Sequence, residues 1–134
     1  ITRCFNFLGK YILNSNQAVG SLISDGLIKN TITLNTSTNV YRGYMNADDL
    51  VRWLIVILKN SNKNCPIYNV GSDKGINLRF LAQKIAKIFN KQLKLKKVKK
   101  FQTDYYVPSI NKAKKHLKLK ISINLNDSLN SFIK

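Results

Sequence analysis

The 134-residue chain contains no glutamate, one histidine, two cysteines and two prolines, and among its basic residues lysine outnumbers arginine 19 to 4. The lone His116 sits among Lys114, Lys115 and Lys118, so it offers neither a nucleophile–base pair nor a metal cluster. Cys4 and Cys65 carry no metal-type spacing, which makes a reduced, cytoplasmic protein the default. Cys4 lies in an apolar run and is expected to be a buried structural thiol. No Gly-x-Gly-x-x-Gly loop is present to seat a pyrophosphate on a helix N-terminus. None of the six tyrosines is followed four positions later by a lysine, so the usual Tyr/Lys proton-transfer pair is missing. No run approaches the roughly 18 apolar residues of a membrane span.

The net charge of +17 is the feature in greatest excess. It raises the possibility of a nucleic-acid partner. Lysine, however, lacks the bidentate fork with which arginine reads phosphates and bases. A coding bias toward lysine, asparagine and isoleucine yields the same composition, and a solvated surface accounts for it.

Alternating strand and helix patterns predict an α/β chain. A short strand spans Arg3–Leu8 and ends at Gly9. Asn14–Asn16 open a helix whose apolar positions Ala18, Leu22, Ile23 and Leu27 run to about Lys29. Thr31–Leu34 alternates as a half-buried strand, and Asn35–Asn39 is a loop. Next comes Tyr41-Arg42-Gly43-Tyr44-Met45-Asn46-Ala47-Asp48-Asp49-Leu50, with Arg42 in a loop beside a tight Gly43 turn. Asn46 caps the following helix, and Asp48 and Asp49 match its dipole. That helix is apolar nearly all round through Leu58 and should be covered on several sides, which favours a partner domain. After a polar linker, Pro66–Val70 is a strand, Gly71–Gly75 a turn and Asn77–Asn90 an amphipathic helix. Leu93, Leu95, Val98 and Phe101 mark a lysine-laced edge strand. Short helices close the chain at Asn111–Leu117 and Asn126–Ile133.

Three groups could carry chemistry. Asp48 and Asp49 diverge by about 100° on a helix and so do not form a shared-proton pair. A fixed Arg42 guanidinium suits an anionic ligand such as a phosphate, or a structural ion pair with an aspartate. The lysines from Lys94 to Lys100, followed by Phe101, Tyr105 and Tyr106, could track phosphates and stack bases, or form a solvated sheet edge.

Several segments, in order, resemble the C-terminal part of extended short-chain dehydrogenases/reductases, the NAD-dependent epimerase/dehydratase family acting on nucleotide-sugars. Arg3-Cys4-Phe5-Asn6-Phe7-Leu8-Gly9 is similar to that family's Arg-x-Phe-Asn-x-Tyr-Gly-Pro. Arg42 through Leu50 is similar to its Arg-Asp/Ser-Tyr-x-Tyr-x-Asp-Asp-Leu, and Tyr68-Asn69-Val70-Gly71-Ser72 matches its Tyr-Asn-Val-Gly-Ser. Leu81 to Ala86 and Tyr106 to Leu117 follow at the expected places.

The resemblance implies a chain that is roughly the last 40% of such an enzyme. It would comprise the last strands and helices of a Rossmann-type domain plus the small C-terminal substrate-binding lobe. The opening Ile1-Thr2-Arg3-Cys4-Phe5 reads like the interior of a longer protein. The NAD site and the Tyr/Lys pair would lie upstream, so residues 1–134 alone could not transfer hydride. The implied ligand is a nucleoside-diphosphate sugar, oxidised at C4 by NAD in the full enzyme and then altered by elimination or epimerisation. Asn6 would contact the sugar-diphosphate region, Arg42 would clamp the diphosphate, Asn69 would lie near the same phosphates, and Tyr105 would stand near the nucleotide. The same resemblance implies a cytoplasmic homodimer in polysaccharide biosynthesis, with no catalytic, cofactor or metal residue in this portion. Lys10 replaces the usual proline, Asn35–Asn39 lacks the family's Gly-x-Gly turn, and Tyr105 stands where several members have an arginine. The alternative is a lysine-rich, non-enzymatic α/β module for nucleic acid or another polyanion.

Overall fold

The structure, a computed structural model, describes residues 1–9, 12, 17–98 and 102–133. Lys10, the helix start at Asn14–Asn16 and the Lys99–Phe101 end of the lysine strand lie outside the described residues.

The chain alternates short strands and helices. They are β1 (Thr2–Cys4), β2 (Phe7–Leu8), α1 (Ala18–Ile28), β3 (Thr31–Leu34), β4 (Asn39–Gly43), β5 (Met45–Asn46) and α2 (Ala47–Lys59). There follow β6 (Tyr68–Val70), β7 (Gly75–Asn77), α3 (Leu78–Ile88), β8 (Gln92–Leu95), β9 (Thr103–Tyr106), α4 (Asn111–Leu117) and α5 (Leu125–Asn130). Asparagine is put to regular use at helix starts. The side chains of Asn46, Asn77 and Asn124 accept from Asp48 N, Arg79 N and Asp127 N, opening α2, α3 and α5.

Four parallel pairings dominate: β1 with β6, β2 with β5, β3 with β8, and β4 with β9. Among the described residues only β7 runs antiparallel, against β4. Two apolar clusters fill the space between these layers. One gathers Leu22 and Ile23 of α1, Ile32 and Leu34 of β3, and Leu81 and Ile85 of α3. The other joins Trp53 and Ile57 of α2 to Tyr68, Val70, Ile110 and Leu119.

Several expectations are corrected. Arg42 lies within strand β4 rather than a loop, because residues 39–43 pair on both sides. Gly43 makes no tight turn: it is a point of close approach, where a Cβ would collide with the Ser72 carbonyl oxygen. The Arg3–Leu8 strand is split at Phe5 and Asn6, since β1 and β2 pair with different partners. Strand β6 begins at Tyr68, not Pro66, and Val98 lies beyond the end of β8. Asn77 ends a strand and caps α3 instead of starting it.

Cys4 is exposed, because among the described residues nothing packs on the outer face of β1. Helix α2 buries only Asp49, Trp53 and Ile57, while Val51, Ile55 and Leu58 are 54%, 48% and 72% exposed. Within these residues the helix is therefore covered on one side only. Exposed parallel strands beside an apolar helix face are unusual for a sheet type that is normally covered on both faces.

Candidate functional site

Strand alternation builds the site. Side chains two residues apart share a face of a strand, so Val40 and Arg42 point the same way, and Tyr44 follows just beyond β4. In the parallel register with β9, Val40 stands opposite Asp104 and Arg42 opposite Tyr106. Asp104 and Tyr106 therefore flank Arg42 on its own face. Arg42 Nη1 donates to Asp104 Oδ1 at 3.0 Å and Nη2 to Oδ2 at 2.6 Å, while its charge lies 5.7 Å from the Tyr106 ring centre. Nη1 also donates to the Tyr41 carbonyl at 2.8 Å. The guanidinium beside Asp104 holds that exposed carboxyl below its ordinary pKa, chiefly through the hydrogen bonds it donates.

Arg42 lines a cleft of about 200 Å3 with Asn6, Gln17, Val40, Tyr44 and Leu78. Asn6 sits between β1 and β2, and its carbonyl accepts from Met45 N at 3.1 Å, which fixes the residue. Its Nδ2 is buried with no partner among the described residues, and so is the Oε1 of Gln17 at the N-cap of α1. A buried donor and a buried acceptor without partners are costly in a folded protein unless something else satisfies them. Tyr44 closes the cleft on one side. Burial pushes its hydroxyl pKa up to about 12, with Arg42 pulling the other way.

The structure thus brings Asn6 and Arg42 to one cleft. Asn69 and Tyr105 do not line it. Asn69 Nδ2 donates to the Ser109 carbonyl at 3.0 Å, tying β6 to the segment before α4. Tyr105 is opposite Tyr41 in the β4–β9 register and packs on it at 5.8 Å, on the face away from Arg42. Sequence reasoning missed Gln17, Tyr44 and Asp104, and put Tyr106 in a basic-aromatic strip rather than beside Arg42. The places of Asp104 and Tyr106 become visible once Thr103–Tyr106 is read as a strand beside β4.

The other candidates resolve structurally. Asp49 is fully buried and accepts from Ser122 N and Ile123 N, both at 2.9 Å, and pairs with Arg52. It ties α2 to the C-terminal segment. His116 packs edge-on against Tyr68 at 6.3 Å. Among the described residues no group of metal-ligating side chains occurs, and no helix is long and apolar enough to cross a membrane. Lys94 of β8 belongs to the sheet with β3, whereas Tyr105 and Tyr106 belong to the sheet with β4; Lys99, Lys100 and Phe101 of that candidate lie outside the described residues.

No protein-family model matches the chain, and no curated protein matches it in sequence. Solved structures do match it. The dTDP-glucose 4,6-dehydratase of Bacillus anthracis, in complex with NAD, superposes with a TM-score of 0.82 at 16% identity, over 98% of this chain and 42% of that one. The fold is Rossmann-type α/β. The UDP-glucose 4-epimerase of Thermotoga maritima, with UDP-glucose, gives 0.80 at 18% identity over 98% and 43%. The UDP-glucuronic acid 4-epimerase of Bacillus cereus, with UDP-glucuronic acid and NAD, gives 0.78 at 20% identity over 99% and 44%. The chain spans well under half the length of each, a share that fits the C-terminal portion the sequence motifs imply.

Proposed function

We propose that residues 1–134 are the substrate-binding C-terminal portion of an NAD-dependent nucleotide-sugar epimerase or dehydratase, with the dinucleotide-binding part elsewhere in the polypeptide. One observation supports this reading most strongly. The Asn6/Gln17/Arg42/Tyr44 cleft offers a cation, a buried donor and a buried acceptor to a polar ligand, within a fold shared with sugar-nucleotide enzymes.

In this reading Arg42 binds a diphosphate through the edge that Asp104 leaves open. Asn6 Nδ2 donates to an oxygen of the ligand, and Gln17 Oε1 accepts from a donor such as a nucleobase N–H or a sugar hydroxyl. Tyr44 closes the cleft and excludes water from the ion contact, which strengthens it. Asn69 and Tyr105 would join the site only where the bound ligand extends past the cleft.

The residues present do not fit NAD: the sequence holds no glycine-rich phosphate loop and no Tyr-x-x-x-Lys. Oxidation at the sugar C4, and the elimination or epimerisation after it, are therefore assigned to the part of the enzyme outside these residues. The proposal extends to a cytoplasmic homodimer in polysaccharide biosynthesis.

The test is to incubate the full polypeptide with NAD and a panel of UDP- and dTDP-sugars, following product mass. A mass loss of one water, or an epimer resolved by chromatography, is the expected result. A full polypeptide that binds these ligands yet leaves all of them unchanged rejects the enzymatic part of the proposal.

A further inference from the structure

A second cleft, of about 490 Å3, contains none of Asn6, Arg42, Asn69 or Tyr105. It lies at the seam between the two apolar clusters, with Tyr44 from the first and Leu119 from the second in its wall. Its volume is that of a small-molecule pocket, and seams between packed units are where such pockets form.

The walls are apolar and the rim is cationic. Tyr44, Ile76, Leu119, Ile121 and Ile123 line the cleft, and four exposed lysines stand there against one carboxylate, Asp73. Lys114 takes that carboxylate at 2.5 Å. Lys74, Lys118 and Lys120 are left with no ion pair among the described residues. The segment forming one wall is anchored from behind. Trp53 Nε1 donates to the Lys120 carbonyl at 3.1 Å, and Asp49 accepts the N–H groups of Ser122 and Ile123. Those backbone groups are satisfied by α2, so the segment presents apolar side chains to the cleft and is held against collapsing into it.

From this geometry we infer that the cleft binds a small amphiphilic anion, an unbranched acyl carboxylate whose chain lies on the apolar walls and whose charge meets the lysine rim. The like charges of the rim repel one another, and an anion relieves that repulsion. Affinity comes mainly from the chain, with about a fourfold gain for each methylene removed from water. A peptide cation finds only the occupied Asp73. A nucleobase finds one aromatic ring, Tyr44, and no second face to stack on.

The probes are sodium octanoate and its neutral counterpart octan-1-ol, titrated into the full polypeptide by calorimetry. Two variants accompany them: Ile123→Trp, which narrows the cleft, and Lys74→Glu/Lys120→Glu, which reverses the rim at two exposed side chains. Saturable octanoate binding is expected, about two- to fivefold weaker for octan-1-ol and for the rim variant, and weaker in the narrowed variant. The inference is overturned by the absence of saturable octanoate binding. It is equally overturned if octan-1-ol and the rim variant match octanoate on the native protein, an outcome that needs no folded Ile123→Trp.

Discussion

Asp104 grips Arg42 end-on, its two carboxylate oxygens taking one hydrogen each from Nη1 and Nη2 at 3.0 and 2.6 Å. Nη1 spends its other hydrogen on the Tyr41 carbonyl. The Nε edge, with the second Nη2 hydrogen, has no partner among the described residues and is itself a bidentate face for a phosphate. Asp104 therefore orients Arg42 without consuming it.

Replacing Arg42 by alanine in the full polypeptide should weaken nucleoside-diphosphate binding by ~1.5–3 kcal/mol, the range for a hydrogen bond to a charged group. Asp104→Ala should weaken it too, by less, because the guanidinium loses its anchor and keeps its charge. Calorimetric titration with UDP decides. An Asp104→Ala variant that binds UDP more tightly would mean that Asp104 competes with the ligand.

Asp49→Ala removes the acceptor for two backbone N–H groups of the C-terminal segment. The expected loss is about 2–4 kcal/mol of stability, read as a lower denaturation midpoint in urea, because two donors lose their partner at a buried site. Asp49→Asn retains one acceptor oxygen and should lose less. Equal midpoints for all three proteins would remove Asp49 from the stabilising contacts.

Tyr44 gives stability a pH signature. Its folded pKa is raised by burial, so the contribution is intact below the unfolded value near 10 and fades as pH rises toward about 12. Ultraviolet titration of tyrosinate should show a late-ionising group that Tyr44→Phe abolishes. A titration that Tyr44→Phe leaves unchanged above pH 10 would contradict the buried placement.

Helix α2 presents Val51, Ile55 and Leu58 outward. If the rest of the polypeptide covers them, as proposed, Val51→Lys/Ile55→Lys should lower the stability of the full polypeptide by at least about 2 kcal/mol, since apolar contact is lost and charge is buried. A thermal midpoint unmoved by both lysines would mean that the face is open to water.

Much of the fold was legible because its signals are local. The alternation of Thr31–Leu34, the Asn46 cap and the 3.6-residue periodicity of Leu78, Leu81, Ala82 and Ile85 each specify an element from neighbouring residues. Strands β4 and β9 were harder. Thr103–Tyr106 is exposed throughout and carries no apolar alternation, so only its pairing with β4 reveals it. That gap hid Asp104 as the partner of Arg42. Gln17 was hidden for a related reason: its value lies in an unpartnered buried oxygen, which is a property of packing and not of the residue type. Cys4 shows the converse: its apolar context in sequence implied a buried thiol, and the structure leaves it exposed.

The most direct test of the central claim is an equilibrium titration of the full polypeptide with UDP-glucose and, separately, with single-stranded DNA, each at two salt concentrations. The account predicts saturable UDP-glucose binding that weakens in Asn6→Ala and Arg42→Ala, with DNA bound weakly if at all. DNA binding that falls steeply with salt, together with no UDP-glucose binding, would contradict it and point to a polyanion-binding module.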